Sequence, residues 1–501
     1  MLDAIKNRNL QTFFVFFGLV ALGWTAPALA GASLAGITTG VGFKVLAVFL
    51  GVSWAWSRTN DIWPSLLCFL LLPFTGALQF EDILMNMQIV EIVIFIVMLF
   101  VFLRFLEEKE VGQFLASWLL RRKFLRGRPW FFLFVFFLTA FLVAALINIF
   151  VGIYLMWGIG TSVSRTLGFK PYDKFPTLVA LGVSVMGALS LSTMPWGTNS
   201  MVMLTLLSGN GFLHGAPPDI FRYFLFTIPL GIIVIMVMLL IYKFIFRLDV
   251  RRLRKLGSDF INLDDCTLTA SRGIALISLL VFVVLMLFPD IWSRFFASGN
   301  IFLAPGWVQS LTYITLIGKM AVIFVILSVT RVNRQPIFNF NQLAARGVVW
   351  GVVGIYLVAI PLGVALNNEM GDFLTDYVTP MFQGLPALVI VAAIGFATVL
   401  LTNFTSSIPV CLLMMPFAFH ALEGRVLPEQ IAFLIIVLCS FGWLTPGSSP
   451  AGMVMHANKD WLRPKEVVIY SIPILIIVTA VAVLYNYYVL GLFYPAEIPA
   501  L

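Results

Sequence analysis

Charge is scarce in this chain. Only 11% of its 501 residues are Asp, Glu, Lys or Arg, 61% are apolar, and the mean hydropathy is +1.01. A soluble domain of this length has nowhere to put so much apolar surface. Cysteine and histidine are scarcer still, at four and three residues. Cys68, Cys411 and Cys439 fall in apolar runs and Cys266 in a polar stretch, so neither a disulfide framework nor a CxxC metal site is indicated. His214, His420 and His456 are scattered. The sequence holds no HExxH, no Walker loop and no GxSxG. No clustered acid, base, nucleophile or metal ligands support catalysis. These absences exclude an ATP-driven pump and argue against an enzyme, leaving an ion or solute gradient to supply any work.

What the chain does have is a series of apolar runs near or above the roughly 20 residues that cross a bilayer. Eleven crossings are expected, at 12–30, 38–57, 62–78, 88–106, 178–208 (broken), 221–244, 273–289, 311–330, 347–366, 428–456 (broken) and 466–493. Two helical hairpins, 129–164 and 381–421, are expected to enter and leave on one side. The net charge of +8 is therefore a matter of position, not a nucleic-acid footprint. With the N-terminus inside, 26 of the 31 basic residues fall on inner segments, among them Arg58, Arg128, Arg165, Arg252 and Arg346. Lys44, Arg222, Arg294 and Arg425 fall outside, and Lys319 lies within a span. Cytoplasmic loops favour Lys and Arg, so this orientation is preferred over its inverse and puts the C-terminus outside. The expected setting is a bacterial inner membrane. Lys6 and Arg8, followed by an apolar run and Pro27-Ala28-Leu29-Ala30, resemble a signal peptide, but an uncleaved first helix is the expectation.

Two stretches 259 residues apart resemble each other. Glu110-Val111-Gly112-Gln113-Phe114-Leu115 parallels Glu369-Met370-Gly371-Asp372-Phe373-Leu374, and at the same offset Asn148 falls on Ser407 and Met156 on Met415. Each block precedes a polar, Gly/Pro-rich interruption: Pro195-Trp196-Gly197-Thr198-Asn199-Ser200 and Thr445-Pro446-Gly447-Ser448-Ser449-Pro450. Paired interruptions in two halves of a membrane protein point to a transport site at the midplane. The organisation expected is N-terminal scaffold helices (1–87), a first repeat (88–244), a cytoplasmic connector (245–272), further scaffold helices (273–346) and a second repeat (347–501). Asn148 is the sole strongly polar residue in a long apolar run, whereas Thr402, Asn403, Thr405, Ser406 and Ser407 cluster ahead of Pro409. Hairpin tips here would expose helix-end N–H groups suited to an anion, and carbonyls suited to sodium. Gly197 and Gly447 are expected to permit sharp turns, and Trp54, Trp56, Trp63 and Trp130 to anchor at the membrane interface.

At these residues the chain resembles the divalent anion/sodium symporter family of the ion transporter superfamily. The resemblance runs nearly the whole length and includes the closing pattern SSPAGMVMHANKDWLRPKEVVIYSIPILII. It implies an all-α polytopic membrane protein with two inverted repeats, about 11 transmembrane helices and two re-entrant hairpins. It also implies a homodimer and an elevator motion of a transport domain against a scaffold. The family's Ser-Asn-Thr signature falls on Ile147-Asn148-Ile149, where only Asn survives, and on Ser406-Ser407-Ile408, where only the leading Ser survives. Carried over, Asn148 and Gly197 would serve a first sodium site, and Thr402, Thr405, Ser407 and Thr445 a second. Substrate contacts would come from Asn148, Thr198, Asn199, Ser406, Ser407, Thr445, Pro446, Gly447 and Ser448. Isoleucine replaces both signature threonines, removing two hydroxyls from the expected site. A site built to hydrogen-bond its ligand discriminates through those bonds, so a more amphipathic anion than a small C4-dicarboxylate is expected. A cation/proton antiporter or metalloid efflux carrier on the same scaffold is the alternative. Its membrane-embedded carboxylate has only Glu91, at the edge of a span, as a candidate. Lys319 near a span centre has two readings, a direct substrate role or a lysine that is paired across helices or snorkels to the inner surface.

Overall fold

The computed structural model describes residues 2–30, 40–59, 61–84, 86–209, 220–255, 267–295, 315–373, 376–377, 379–422 and 424–490. Apolar helices dominate it. The first group is α1 (Leu2–Ala30), α2 (Gly40–Arg58), α3 (Trp63–Thr75), the short α4 (Phe80–Leu84), α5 (Met87–Glu108) and α6 (Val111–Leu120). A hairpin follows, α7 (Pro129–Leu146) and α8 (Ile149–Thr166), then the broken pair α9 (Lys174–Ser190) and α10 (Thr198–Gly209), and α11 (Ile220–Leu240). The next group is α12 (Ala270–Phe295), α13 (Leu316–Val329), α14 (Phe340–Gly347) and α15 (Trp350–Phe373). A second hairpin, α16 (Ala387–Phe404) and α17 (Ser407–Leu422), leads into the second broken pair, α18 (Pro428–Leu438) and α19 (Pro450–Ala457), and finally α20 (Pro464–Tyr485). Six of the eleven expected crossings fall on helical stretches long and apolar enough to cross a membrane, and the first limbs of the two hairpins, α7 and α16, are long and apolar enough as well. Eight helical stretches among the described residues are long and apolar enough to cross a membrane. Large apolar side chains such as Ile277, Leu280, Val325 and Val329 stand exposed on α12 and α13, as a lipid-facing wall requires.

The first limbs of the two hairpins match at the 259-residue offset to within one residue: α7 shifted by 259 spans 388–405, and α16 spans 387–404. Their bases lie at opposite faces. At one face the loop after α8 meets the loop after α19. Tyr172 Oη donates to the Lys459 carbonyl (2.8 Å), Arg463 stacks 4.6 Å from the Tyr172 ring, and Arg252 stacks 4.7 Å from Phe169. At the other face, Arg425 donates to the Phe382 and Leu385 carbonyls at the base of the second hairpin. There too, Gln430 donates to the Asn486 and Tyr487 carbonyls at the end of α20. The 22 residues of α20 connect the two faces, a rise of roughly 33 Å. The first face carries the loops rich in Lys and Arg and is called the basic face below.

Close packing relies on small residues where helices touch. A Cβ on Gly152 would lie 2.8 Å from the Ala144 backbone, which fixes how tightly the limbs of the first hairpin close. Gly23 packs on Ala47 in the same way between α1 and α2.

Two sequence expectations change here. The Glu110 and Glu369 stretches do not adopt one shape. The first opens α6 after a sharp elbow at Glu110 (φ 55°), which pairs with Arg272 at the start of α12; residues 369–373 of the second form the last turns of the continuous α15. Trp56 is not an interface anchor. It is buried, its Nε1 donates to Ser65 Oγ at 3.0 Å, and its ring lines the central cavity.

Candidate functional site

The hairpins turn for different reasons. In the first, Asn148 leaves the helical region (φ −167°, ψ 139°), and its side-chain oxygen accepts the Phe150 N–H at 2.8 Å, capping α8. In the second, Thr405 is extended (φ −137°, ψ 179°) and α17 restarts at Ser407. Pro409 sits in its first turn, where no intrahelical N–H bond is lost.

The first break lies where expected. Residues 191–197 leave the helix, and a Cβ on Gly197 would lie 2.6 Å from the Leu191 carbonyl oxygen and 3.0 Å from that of Met194. Glycine is required there by close approach, not by a left-handed turn. Gly447 lies in the turn closed by the Ser448 N–H on the Thr445 carbonyl (3.3 Å), faces open space and has no positive φ, so both glycines sit at turns without using a left-handed conformation.

The second break is wider than its Gly/Pro signal. Helix α18 ends at Leu438, and regular helix resumes only at Pro450. Asn403, in the last turn of α16, holds this stretch open. Its Oδ1 accepts the N–H groups of Trp443 (3.1 Å) and Leu444 (2.8 Å), and its Nδ2 donates to the Val399 and Phe441 carbonyls, both at 2.8 Å. A fully buried side chain thus replaces the missing helical bonds. Sequence reading placed Asn403 in the polar run but gave it no role; an amide-bearing side chain in the last turn of an apolar limb was the available signal.

The two repeats meet at mid-depth. Ser407 Oγ donates to Asn199 Oδ1 (3.3 Å), Asn199 Nδ2 donates to Ser440 Oγ (3.4 Å), and Ser192 contacts Ser440 while donating to the Ile436 carbonyl. Tyr223 and Thr227 on α11 donate to the Ser192 and Thr193 carbonyls and satisfy the first break from behind.

Beside this contact lies a cavity of about 310 Å³. Its lining contains the first residues of four helices: Asn148, Ile149 and Phe150 (α8), Gly197 and Asn199 (α10), Ser406, Ser407 and Ile408 (α17), and Ser449 and Pro450 (α19). Both hairpins reach it from opposite faces, so neither tip crosses to the far side. The opposing wall is apolar. It is formed by Ile96, Leu99, Phe100 and Leu103 of α5, at i, i+3, i+4 and i+7, and by Val352 and Ile355 of α15. Exposed residues of the lining include Asp61 and Val349 on the basic face, and also Phe150, Pro446, Gly447 and Met453 beside the helix N-termini. Among the described residues the lining includes no Lys, Arg or His, and Asp61 is its one charged side chain.

Of the residues singled out from sequence, Asn148, Asn199, Ser406, Ser407, Gly197, Pro446 and Gly447 line the cavity. Thr402 is buried behind it and donates to the Cys439 carbonyl (2.8 Å); Thr445 donates to the Asn403 carbonyl (2.6 Å) and Ser448 to the Thr445 carbonyl (2.6 Å). Thr405 forms the extended residue of the tip. Thr198 begins α10, and its side chain lies outside the described residues. Lys319 is buried on α13, outside the cavity lining; the same helix packs on α5, where Glu91 accepts the Leu316 N–H at 2.8 Å.

The sequence profile of the citrate transporter family matches residues 13–439. The chain belongs to the citrate transporter family. It is a transporter, not an enzyme, and an integral membrane protein. The fold is similar to that of the YdaH transporter of Alcanivorax borkumensis, whose crystal structure has been described as revealing an unusual topology. The TM-score is 0.56 over 97% of this chain and 99% of that chain, at 15% identity. No curated protein matches the sequence.

Proposed function

We propose that this member of the citrate transporter family is a secondary active transporter that carries an organic anion, a carboxylate or sulfonate, in symport with sodium. In this reading its kinship extends to the divalent anion/sodium symporters. One observation carries it: four helix N-termini face one cavity. Each contributes about +0.5 of an elementary charge, roughly +2 in all, in a setting where water screens poorly. Such a cradle holds an anion without any cationic side chain.

The coupling ion is assigned to the helix ends that present carbonyls. Around Gly197, the Leu191 and Met194 carbonyls crowd the break beside Asn148, which suits a first sodium position. The Thr402 and Thr445 hydroxyls donate to carbonyls yet keep acceptor lone pairs, so with Thr405 and Ser407 they could serve a second. The hairpins and breaks supply the polar wall, and α5 and α15 the apolar one. Sliding the first body along the second would alternate access, as an elevator does, with the N-terminus cytoplasmic and two copies of the chain forming the scaffold.

Ile149 and Ile408 both line the cavity, where hydroxyls would grip a second carboxylate. The preferred substrate in this reading is more amphipathic than a small C4-dicarboxylate. Uptake into proteoliposomes tests it, with radiolabelled succinate, citrate, benzoate and an alkyl sulfonate under imposed sodium gradients. Sodium-driven uptake of an amphipathic acid is expected. Robust sodium-driven succinate uptake would refute the substrate assignment, and uptake indifferent to sodium would refute the coupling.

A further inference from the structure

The cavity is polarised. One part of its lining carries the positive ends of four helices; another, on the basic face, carries Asp61. Asn9 Nδ2 donates to the carboxylate at Asp61 Oδ2 (3.0 Å), and the Asp61 backbone N–H donates to Thr59 Oγ1 (3.2 Å). The nearby guanidinium of Arg58 stacks on the Trp54 ring, 4.3 Å from its centroid, and is not part of the lining. The apolar stripe of α5 lines the same cavity. A ligand whose anionic end rests on the helix N-termini therefore extends its body along apolar side chains and presents its far end to a negative charge.

We propose that Asp61 is the specificity-determining residue of this transporter, and that it selects organic anions whose far end is an amine or ammonium over those with a second carboxylate. The inference rests on the anion-carrier reading above and narrows its substrate class to amphipathic amino acids with widely separated ends. The physical reason is a difference of interactions at one place. A distal ammonium or amine donates to Asp61, a methyl group is neutral towards it, and a second carboxylate is repelled. At the exposed Asp61, two unit charges about 4 Å apart in water-like surroundings differ from no interaction by about 1 kcal/mol, or roughly fivefold in affinity. Asp61 is the one charged side chain in the described lining, so no Lys or Arg there neutralises its charge towards a ligand.

The test uses the full-length protein in nanodiscs and three acids of equal chain length: hexanoate, 6-aminohexanoate and adipate. Binding is read by fluorescence, since Trp56 and Trp196 line the cavity. The wild type is expected to rank 6-aminohexanoate first and adipate last. In Asp61→Asn the order should compress, with adipate gaining about fivefold and 6-aminohexanoate losing about as much. Asp61→Glu, which retains the charge, should keep the wild-type order and guards against a structural effect of the amide. If the acids bind but Asp61→Asn leaves their order unchanged, or if adipate binds best to the wild type, the filter is wrong and the anion reading stands. If none of the three binds either protein, this inference is wrong, and the anion reading is decided separately by the uptake of citrate, benzoate and the alkyl sulfonate.

Discussion

The two hairpin tips occupy equivalent places in the repeats and are stabilised in opposite ways. The first is self-sufficient: a two-residue turn capped by Asn148, with Ala144, Ala145, Ile147 and Ile149 around it on the cavity wall. The second is part of a web, in which Asn403, Thr402 and Thr445 fasten the tip to eleven residues of unwound chain between Leu438 and Pro450. The difference follows from what each break must satisfy. The first break spans seven residues and finds its partners on α11, through Tyr223 and Thr227, so its hairpin is left to cap itself. The second break is longer and draws its partners from its own hairpin. One tip can therefore respond to a ligand by itself, whereas the other responds only together with its break.

The strongest way to break this comparison is Asn403→Ala. It strands two buried N–H groups and two carbonyl contacts, and each buried group left unpaired costs about 1–3 kcal/mol. Thermal unfolding in detergent should show a loss of about 3 kcal/mol or more together with loss of transport; a change below 1 kcal/mol would mean the break holds itself open.

Next comes a pair of glycines. Gly197→Ala forces a Cβ to 2.6 Å from a backbone oxygen and should destabilise by about 1–3 kcal/mol. Gly447→Ala points into open space and should leave the melting temperature unchanged while narrowing the cavity. Equal effects at both positions would show that the breaks are alike after all.

Asn148 gives a smaller effect on folding and a sharper one on binding. Asn148→Ala should lose a cap worth about 1 kcal/mol. Asn148→Asp should retain the cap, because an acidic oxygen accepts the same N–H, yet place a negative charge in the anion cradle and abolish uptake. An Asp variant that transports normally would remove Asn148 from the site. The smallest effect is expected at Lys319, outside the cavity lining: Lys319→Met should transport at the wild-type rate, and a tenfold fall in uptake would return this lysine to the substrate path.

Much of the fold was legible because bilayer thickness fixes helix length and hydropathy reports it. The repeats were legible as well, since both first limbs keep one length and Asn148 and Ser407 keep one offset. The width of the second break was not. Nothing in Cys439-Ser440-Phe441-Gly442 signals a helix stop; the stop comes from Asn403, about forty residues earlier in the chain, which only tertiary packing brings there. The elbow at Glu110 was hidden for the same reason, because its partner Arg272 is 162 residues away. The apolar wall of the cavity was also missed. An i, i+3, i+4, i+7 stripe on α5 reads equally well as core, and only the placement of α15 and the hairpins leaves it facing a cavity.

The account depends most on the two tips sharing one ligand-accessible space. Single cysteines at Ile149 and Ile408, in a chain otherwise free of cysteine, can be alkylated in oriented proteoliposomes with a membrane-impermeant maleimide, with and without a transported anion. In the conformation described, both positions should react from the basic face, and the same anion at the same concentration should protect both. Modification of the two from opposite faces in one and the same state, or protection of one with the other unaffected, would contradict a common site.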